Sequence, residues 1–193
     1  MDVDSFLRDP LSRRRFFARS GVIVAGSSAT FLAACGDDTK LAPVGPDESD
    51  LADVELLNAA LDLELMAVAA YTAGAPLLKG EVLKVGKLFL EQEQEHADGL
   101  ASAIKDAGGK PNQARASYEF PELRSQTDVL KFAVDLENTA IAAYIDALPK
   151  LGAGELRATA AAIISNEAEH IAVLLGALGM EQVPGAFVFG KVA

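Results

Sequence analysis

The chain has only two histidines, His96 and His170, and each stands three residues after a glutamate, Glu93 and Glu167. Three residues along a helix span about 4.5 Å on nearly one face, so each Glu-x-x-His pair can reach a single cation. Two more glutamates, Glu64 and Glu137, sit in the apolar runs LDLELMAVAAY (61–71) and VDLENTAIAAY (134–144). Carboxylates gathered in an apolar core repel one another and lose hydration unless protons or cations neutralise them. Two divalent ions would supply that charge. The expected metal-holding set is Glu64, Glu93, His96, Glu137, Glu167 and His170. Oxygen-rich donors with bridging carboxylates favour iron first, with manganese as an alternative, and the imidazoles leave zinc open.

Neighbouring residues repeat as well. Tyr71 and Tyr144 follow Glu64 and Glu137 by seven residues, two turns on the same face, so both are expected to point inward as hydroxyl partners of a carboxylate or as redox groups. Asp62 and Asp135 also repeat and are candidates for orienting a histidine from behind, with surface or capping roles as the alternative. Glu91, Glu95 and Glu169 lie two residues from a ligand position, which turns them away from it and into solvent.

These residues belong to an internal repeat. Seven of eleven positions match between 61–71 and 134–144, and FLEQEQEHADGL (89–100) corresponds to IISNEAEHIAVL (163–174). The chain therefore reads as two copies of one helical hairpin. Helix 1 is expected to begin near Ser49 or Asp50 and end before Gly74. Helix 2 covers 81–107 and is stopped by Gly108, Gly109 and Pro111. Helix 3 follows Ser125, whose partner three residues on is Asp128, and ends by Pro149. Helix 4 covers 155–178 and is closed by Gly179. Short hairpin loops force each pair antiparallel, whereas residues 108–125 exceed a tight turn and imply a crossover along the bundle. In both hairpins about ten to twelve residues separate each Glu or Glu-x-x-His from the loop, so all six groups should lie at one depth.

A glutamate from each of two helices with Glu-x-x-His from each of the other two resembles the ligand set of the ferritin-like di-iron and di-manganese carboxylate proteins. More narrowly, the paired motifs over 50–179 and the crossover with Tyr118-Glu119-Phe120-Pro121 look like the bacterial exported ferritin-like domain families, some of them linked to desiccation response. The resemblance implies an all-α, ferritin-like four-helix bundle of two antiparallel hairpins joined by a long crossover. It also implies a cofactor of two metal ions and ferrous oxidation or oxygen and peroxide chemistry, which would make the chain a ferroxidase-like oxidoreductase. A non-catalytic metal-binding or stress-related envelope protein is the competing reading.

Composition sets the remaining bounds. The chain has 193 residues, half of them hydrophobic, enough for one core. Absence of Trp and abundance of Ala and Leu favour packed helices. With 28 acidic residues against 17 basic ones, no nucleic-acid partner is expected. The one cysteine, Cys35, excludes an intrachain disulfide and a Cys-built cluster. Residues 12–17, with Arg13 and Arg14, followed by an uncharged stretch over 21–34, have the layout of a twin-arginine export signal. That stretch would cover only about 21 Å as a helix, short of the roughly 30 Å hydrocarbon core. Leu32-Ala33-Ala34-Cys35-Gly36 resembles the lipobox of bacterial lipoproteins, which implies cleavage after residue 34 and lipidation of Cys35. The expected organisation is a signal peptide (1–34), a lipidated cysteine and linker (35–49), the bundle (50–179) and an apolar tail (180–193) packing on the bundle or a partner. The implied partners are the twin-arginine export machinery and the membrane, through the lipid, with a homodimer left open. The implied location is the extracytoplasmic face of the membrane, in the cell envelope.

Overall fold

The computed structural model describes the backbone of residues 48–190 and the side chains of 51–190. The expected export signal with Arg13 and Arg14, Cys35 and nearly all of the linker lie outside the described residues. Four long helices and one turn of 3₁₀ helix make up the described fold, with no strand among those residues: α1 (Glu48–Gly74), the 3₁₀ turn (Ala75–Leu77), α2 (Gly80–Asp106), α3 (Gln126–Ala147) and α4 (Gly154–Ala177). The described fold is all-α, as the repeat predicts, and the helix bounds fall within a few residues of those expected.

Local chemistry explains where the helices begin and stop. Ser125 caps α3: its hydroxyl accepts from the Asp128 amide at 3.2 Å and donates to the Asp128 carboxylate at 2.8 Å. Helices α2 and α4 end on Gly108 and Gly179, whose φ values of 77° and 71° suit a residue without Cβ. The next amides fold back onto the last turns, Gly109 N to Ile104 O at 2.8 Å and Met180 N to Leu175 O at 2.9 Å.

The hairpins α1/α2 and α3/α4 pack against each other chiefly through α1 and α3. The end of α1 meets the start of α3, where Gly74 lies against Val129. The start of α1 meets the α3–α4 loop, where buried Asp53 accepts from the Gly152 amide at 2.9 Å. Helices α1 and α3 are therefore antiparallel, and residues 107–125 must travel the length of the bundle from the end of α2 to the start of α3. That segment is fixed to α1 on its way. Asn58 accepts from the Asn112 amide at 2.7 Å, Asn112 donates to Asp62 at 3.1 Å, and Phe120 packs with Phe132 over Ala67, Ala70 and Leu136.

Two apolar layers fill the bundle on either side of its middle. One is built on Leu57, Leu61, Leu100, Ile104, Tyr144 and Ile163, the other on Tyr71, Phe89, Leu130, Ala133 and Leu174. Along the tail Gly190 is buried against the backbone of Asn138 and Ala142, while Val183, Phe187 and Phe189 are exposed and the two phenyl rings stack on each other.

Candidate metal centre

Between the two apolar layers the four helices bury Glu64, Glu93, Glu137, Glu167 and His170 almost completely, with His96 beside them. Each helix delivers its donor for the same reason: an apolar stripe at spacings of three and four residues faces the core, and the glutamate occupies one position of that stripe. On α2 the stripe is Phe89, Glu93, Ala97, Leu100 and Ile104, and on α4 it is Ile163, Glu167, His170 and Leu174.

The donors form two groups that share two members. His96 Nδ1 lies 3.7 Å from Glu64 Oε2, 3.6 Å from Glu93 Oε2 and 3.1 Å from Glu167 Oε1. His170 Nδ1 lies 3.1 Å from Glu93 Oε1, 3.3 Å from Glu137 Oε1 and 3.2 Å from Glu167 Oε2. Glu93 and Glu167 thus turn one oxygen to each imidazole, whereas Glu64 serves one group and Glu137 the other. Within each group the donor atoms all lie inside 4.8 Å of one another. Ligands bonded at about 2.1 Å to a common ion stand roughly 3.0 to 3.5 Å apart, so the His170 group has the spacing of coordination edges, and the His96 group, with two distances of 3.6 and 3.7 Å, is slightly wider.

Both carboxylate oxygens of Glu93 and of Glu167, and Nδ1 of both histidines, are buried with no hydrogen-bond partner. They approach one another without hydrogen-bond alignment because they aim at shared points rather than at each other. Buried polar atoms without partners are rare and costly, and a cation at each point would satisfy all six. The donor set fits two divalent metals.

The outer sides of the site are held by hydrogen bonds that cross between hairpins. Tyr71 on α1 donates its hydroxyl to Glu137 on α3, and Tyr144 on α3 donates to Glu64 on α1. Both tyrosines point inward as carboxylate partners. Asp62 and Asp135 stand apart: Asp62 is held by Asn112 of the crossover, and Asp135 is exposed. Two residues before a ligand is a rotation of about 200°, which carries these aspartates off the site-facing stripe, so neither supports a histidine. Glu91, Glu95 and Glu169 are exposed, as expected.

Two neighbours escaped the sequence reading. Gln92 places Oε1 2.9 Å from His170 Nε2, where it can accept that nitrogen's hydrogen and hold the ring with Nδ1 turned toward the centre. Phe89 stacks on the His170 ring with centroids 3.9 Å apart. The corresponding residues of the other copy are Asn166 and Ile163, so neither position stands out in the repeat. The only available signal was the difference itself. It makes the two halves unequal: the His170 side chain is 1% exposed and that of His96 13%.

Electrostatics without a cation follow the same layout. Burial raises the Glu64 carboxyl, with His96 opposing, to about 8, and burial likewise holds Glu137 well above the ordinary range. For Glu93 and Glu167 burial acts upward too, but His170 and His96 outweigh it, leaving both lowered, Glu167 to about 2. Burial pushes the imidazoles down, yet the surrounding carboxylates raise His96 to about 12 and His170 to about 11. Burial, reinforced by the adjacent glutamate, keeps both tyrosine hydroxyls protonated far into the alkaline range.

The profile of the ferritin-like domain family matches residues 52–180, nearly the whole bundle with every donor in it. The chain belongs to the ferritin-like domain family. Solved structures share its fold at 21–24% identity. A conserved hypothetical protein from Mycobacterium tuberculosis aligns with TM-score 0.63 and 21% identity over 66% of this chain and 97% of its own. A ferritin-like diiron-carboxylate protein from Bacillus anthracis aligns with TM-score 0.60 and 24% identity over 68% and 99%. Desulfovibrio desulfuricans bacterioferritin, whose diiron site was solved in different catalytic states, aligns with TM-score 0.61 and 22% identity over 75% and 97%. No curated protein matched in sequence. This ferritin-like bundle thus carries a carboxylate and histidine cluster suited to metal at its centre.

Proposed function

We propose that this ferritin-like protein holds two iron ions and oxidises ferrous iron with dioxygen or peroxide. A pair of ferrous ions so held supplies two electrons to the oxidant. The chain's own part is placement. Glu93 and Glu167 would bridge the two positions, Glu64 and His96 would complete one, and Glu137 and His170 the other. Tyr71 and Tyr144 fix the terminal carboxylates of Glu137 and Glu64, and Phe89 with the flanking apolar layers excludes water from the centre. The observation that carries this reading is the convergence of six buried, partnerless donor atoms on two points.

Protein given ferrous iron without oxygen is expected to bind about two ions per chain and to oxidise them when oxygen is admitted. Glu93→Ala and His170→Ala should each remove most of that reaction. Equal oxidation by wild type and both variants would overturn the assignment, and tight metal binding with no redox turnover would favour a structural role for the metal.

We further infer that the protein is exported by the twin-arginine route and tethered by a lipid on Cys35, at the extracytoplasmic face of the membrane. Arg13-Arg14, the uncharged stretch after them and Leu32-Ala33-Ala34-Cys35 support this. Mass spectrometry of membrane-fraction protein should find an acylated Cys35 at the mature N-terminus. An unmodified chain that still begins at Met1 would count against it.

A further inference from the structure

The two ends of the bundle are packed differently. Beyond Tyr144 the interior is filled by Leu57, Leu61, Leu100, Ile104, Leu151 and Ile163. Beyond the Tyr71 layer the filling stops short: an open-mouthed cavity of about 330 Å³ lies there, with all four helices contributing to its wall. Its wall is apolar and its mouth opens to solvent between Glu81, Val173 and Gln182, so a guest could enter without the bundle unfolding. The space is roughly twice the apolar cavity of about 150 Å³ known to take up benzene, and within the range of ligand pockets.

Its chemistry restricts what could enter. Leu78, Val82, Val85, Leu130, Ala133 and Leu174 make up much of its apolar wall, and Gly86 and Gly176 let the side chains of Leu78 and Gln182 lie directly against the helix backbones. Gly86 sits so close to Leu78 that a Cβ would meet Leu78 Cδ1 at 2.6 Å. Apart from the inner Tyr71 hydroxyl, already committed to Glu137, the polar side chains of the lining are Glu81 and Gln182. Both residues are exposed, which puts them at the mouth. No Lys, Arg or His lines the cavity, so an anionic group could not be buried there without a partner. At its inner end the space reaches Tyr71.

We propose that this cavity is a binding site for a small uncharged molecule with a hydrocarbon body, held with any polar end at the mouth beside Gln182. The guest and the metal centre share one wall residue, Tyr71. The binding site stands independently of the redox reading, because its occupancy can be measured on metal-free protein.

The test is calorimetric titration of the full chain, stripped of metal, with n-octanol and separately with n-octanoate at neutral pH. One octanol per chain should bind saturably, with a negative heat-capacity change. Octanoate should bind at least about tenfold more weakly, because its carboxylate must keep its hydration outside the mouth and so draws the hydrocarbon body part-way out of the cavity. Ala133→Leu and Val85→Phe fill the space from different helices, and each should weaken octanol binding by about tenfold or more. In the NMR spectrum of the wild type, the Tyr71 ring signals should shift on adding octanol while those of Tyr118 stay in place. This last measurement localises the guest even if a filled variant fails to fold. Absence of saturable binding, octanoate binding as tightly as octanol, undiminished affinity in a folded filled variant, or an unmoved Tyr71 would each overturn the proposal.

Discussion

At the scale of single residues, the two halves of the centre are related by sequence but not equivalent in surroundings. His170 is sealed under Phe89 and aligned by Gln92, whereas His96 keeps some solvent exposure and has Asn166 where symmetry would put a second Gln92. A liganding imidazole whose outer N–H is held by an acceptor loses less freedom on binding metal and keeps the tautomer that binds. Replacing Gln92 with Leu preserves helix propensity and removes only that acceptor. The variant is expected to bind one of its two metal ions about 10- to 100-fold more weakly, with the other nearly unchanged. Asn166→Leu, the repeat-equivalent change, should leave both affinities close to wild type. Anaerobic titration with cobalt(II), followed by its visible absorption, resolves the two steps, and unchanged binding in Gln92→Leu would remove Gln92 from any positioning role.

At the scale of elements, the bundle depends on helices that start and stop at set places, since a slip of one residue would swing a donor by about 100°. Helix α3 carries Glu137 and Tyr144, and its start is fixed by Ser125 and Asp128. Ser125→Ala is expected to lower stability by about 1 kcal/mol, read as a lower urea midpoint with an unchanged slope; no loss would show that the crossover alone sets the start of α3. The capping pair, the four helices, the crossover and the six donors were all legible in the sequence. Each leaves a periodic or repeated trace: Glu-x-x-His twice, an apolar stripe around Glu64 and Glu137, glycines after α2 and α4. The support of Asp62 by Asn112 was not legible, because 50 residues and the path of an irregular crossover separate them. Gln92 and Phe89 stayed hidden because the repeat directs attention to positions that match. The open-mouthed cavity escaped for another reason. Empty space is the summed shortfall of side chains on four helices, and no single residue reports it.

At the scale of the whole molecule, the bundle must fold around four buried carboxylates whether or not metal is present. Without metal, protons can neutralise the centre: both imidazoles charged, Glu64 and Glu137 protonated, Glu93 and Glu167 ionised, which sums to zero. With two divalent ions and all four carboxylates ionised beside neutral imidazoles, the sum is again zero. Loading metal therefore exchanges up to about four protons for two cations, two from the histidines and one each from Glu64 and Glu137.

The sign of the pH dependence follows from that exchange. In the metal-free protein Glu64 is raised from 4.5 to about 8, and the histidines from 6.5 to about 12 and about 11. Raised groups contribute stability that is complete below their unfolded values and is lost as pH climbs through the folded ones. Glu167, lowered to about 2, acts oppositely and weakens the fold only below about 4.5. Metal-free protein should thus be most stable near pH 4.5, decline above it as the unfolded chain loses the protons that Glu64 and Glu137 keep, and decline more steeply above about 6.5 once the histidines join, while metal affinity rises as protons become scarcer. Ligand held at about 100 times its dissociation constant stabilises by about 2.7 kcal/mol per site, so two sites should raise the melting temperature by on the order of 10 °C. The gap between metal-loaded and metal-free melting temperatures is expected to widen steadily from pH 5.5 to pH 8.5. Calorimetry in buffers of different ionisation heat should count the released protons at pH 7. A gap that stays level or narrows with rising pH, or binding that releases no protons, would mean that metal does not replace protons at these glutamates and histidines.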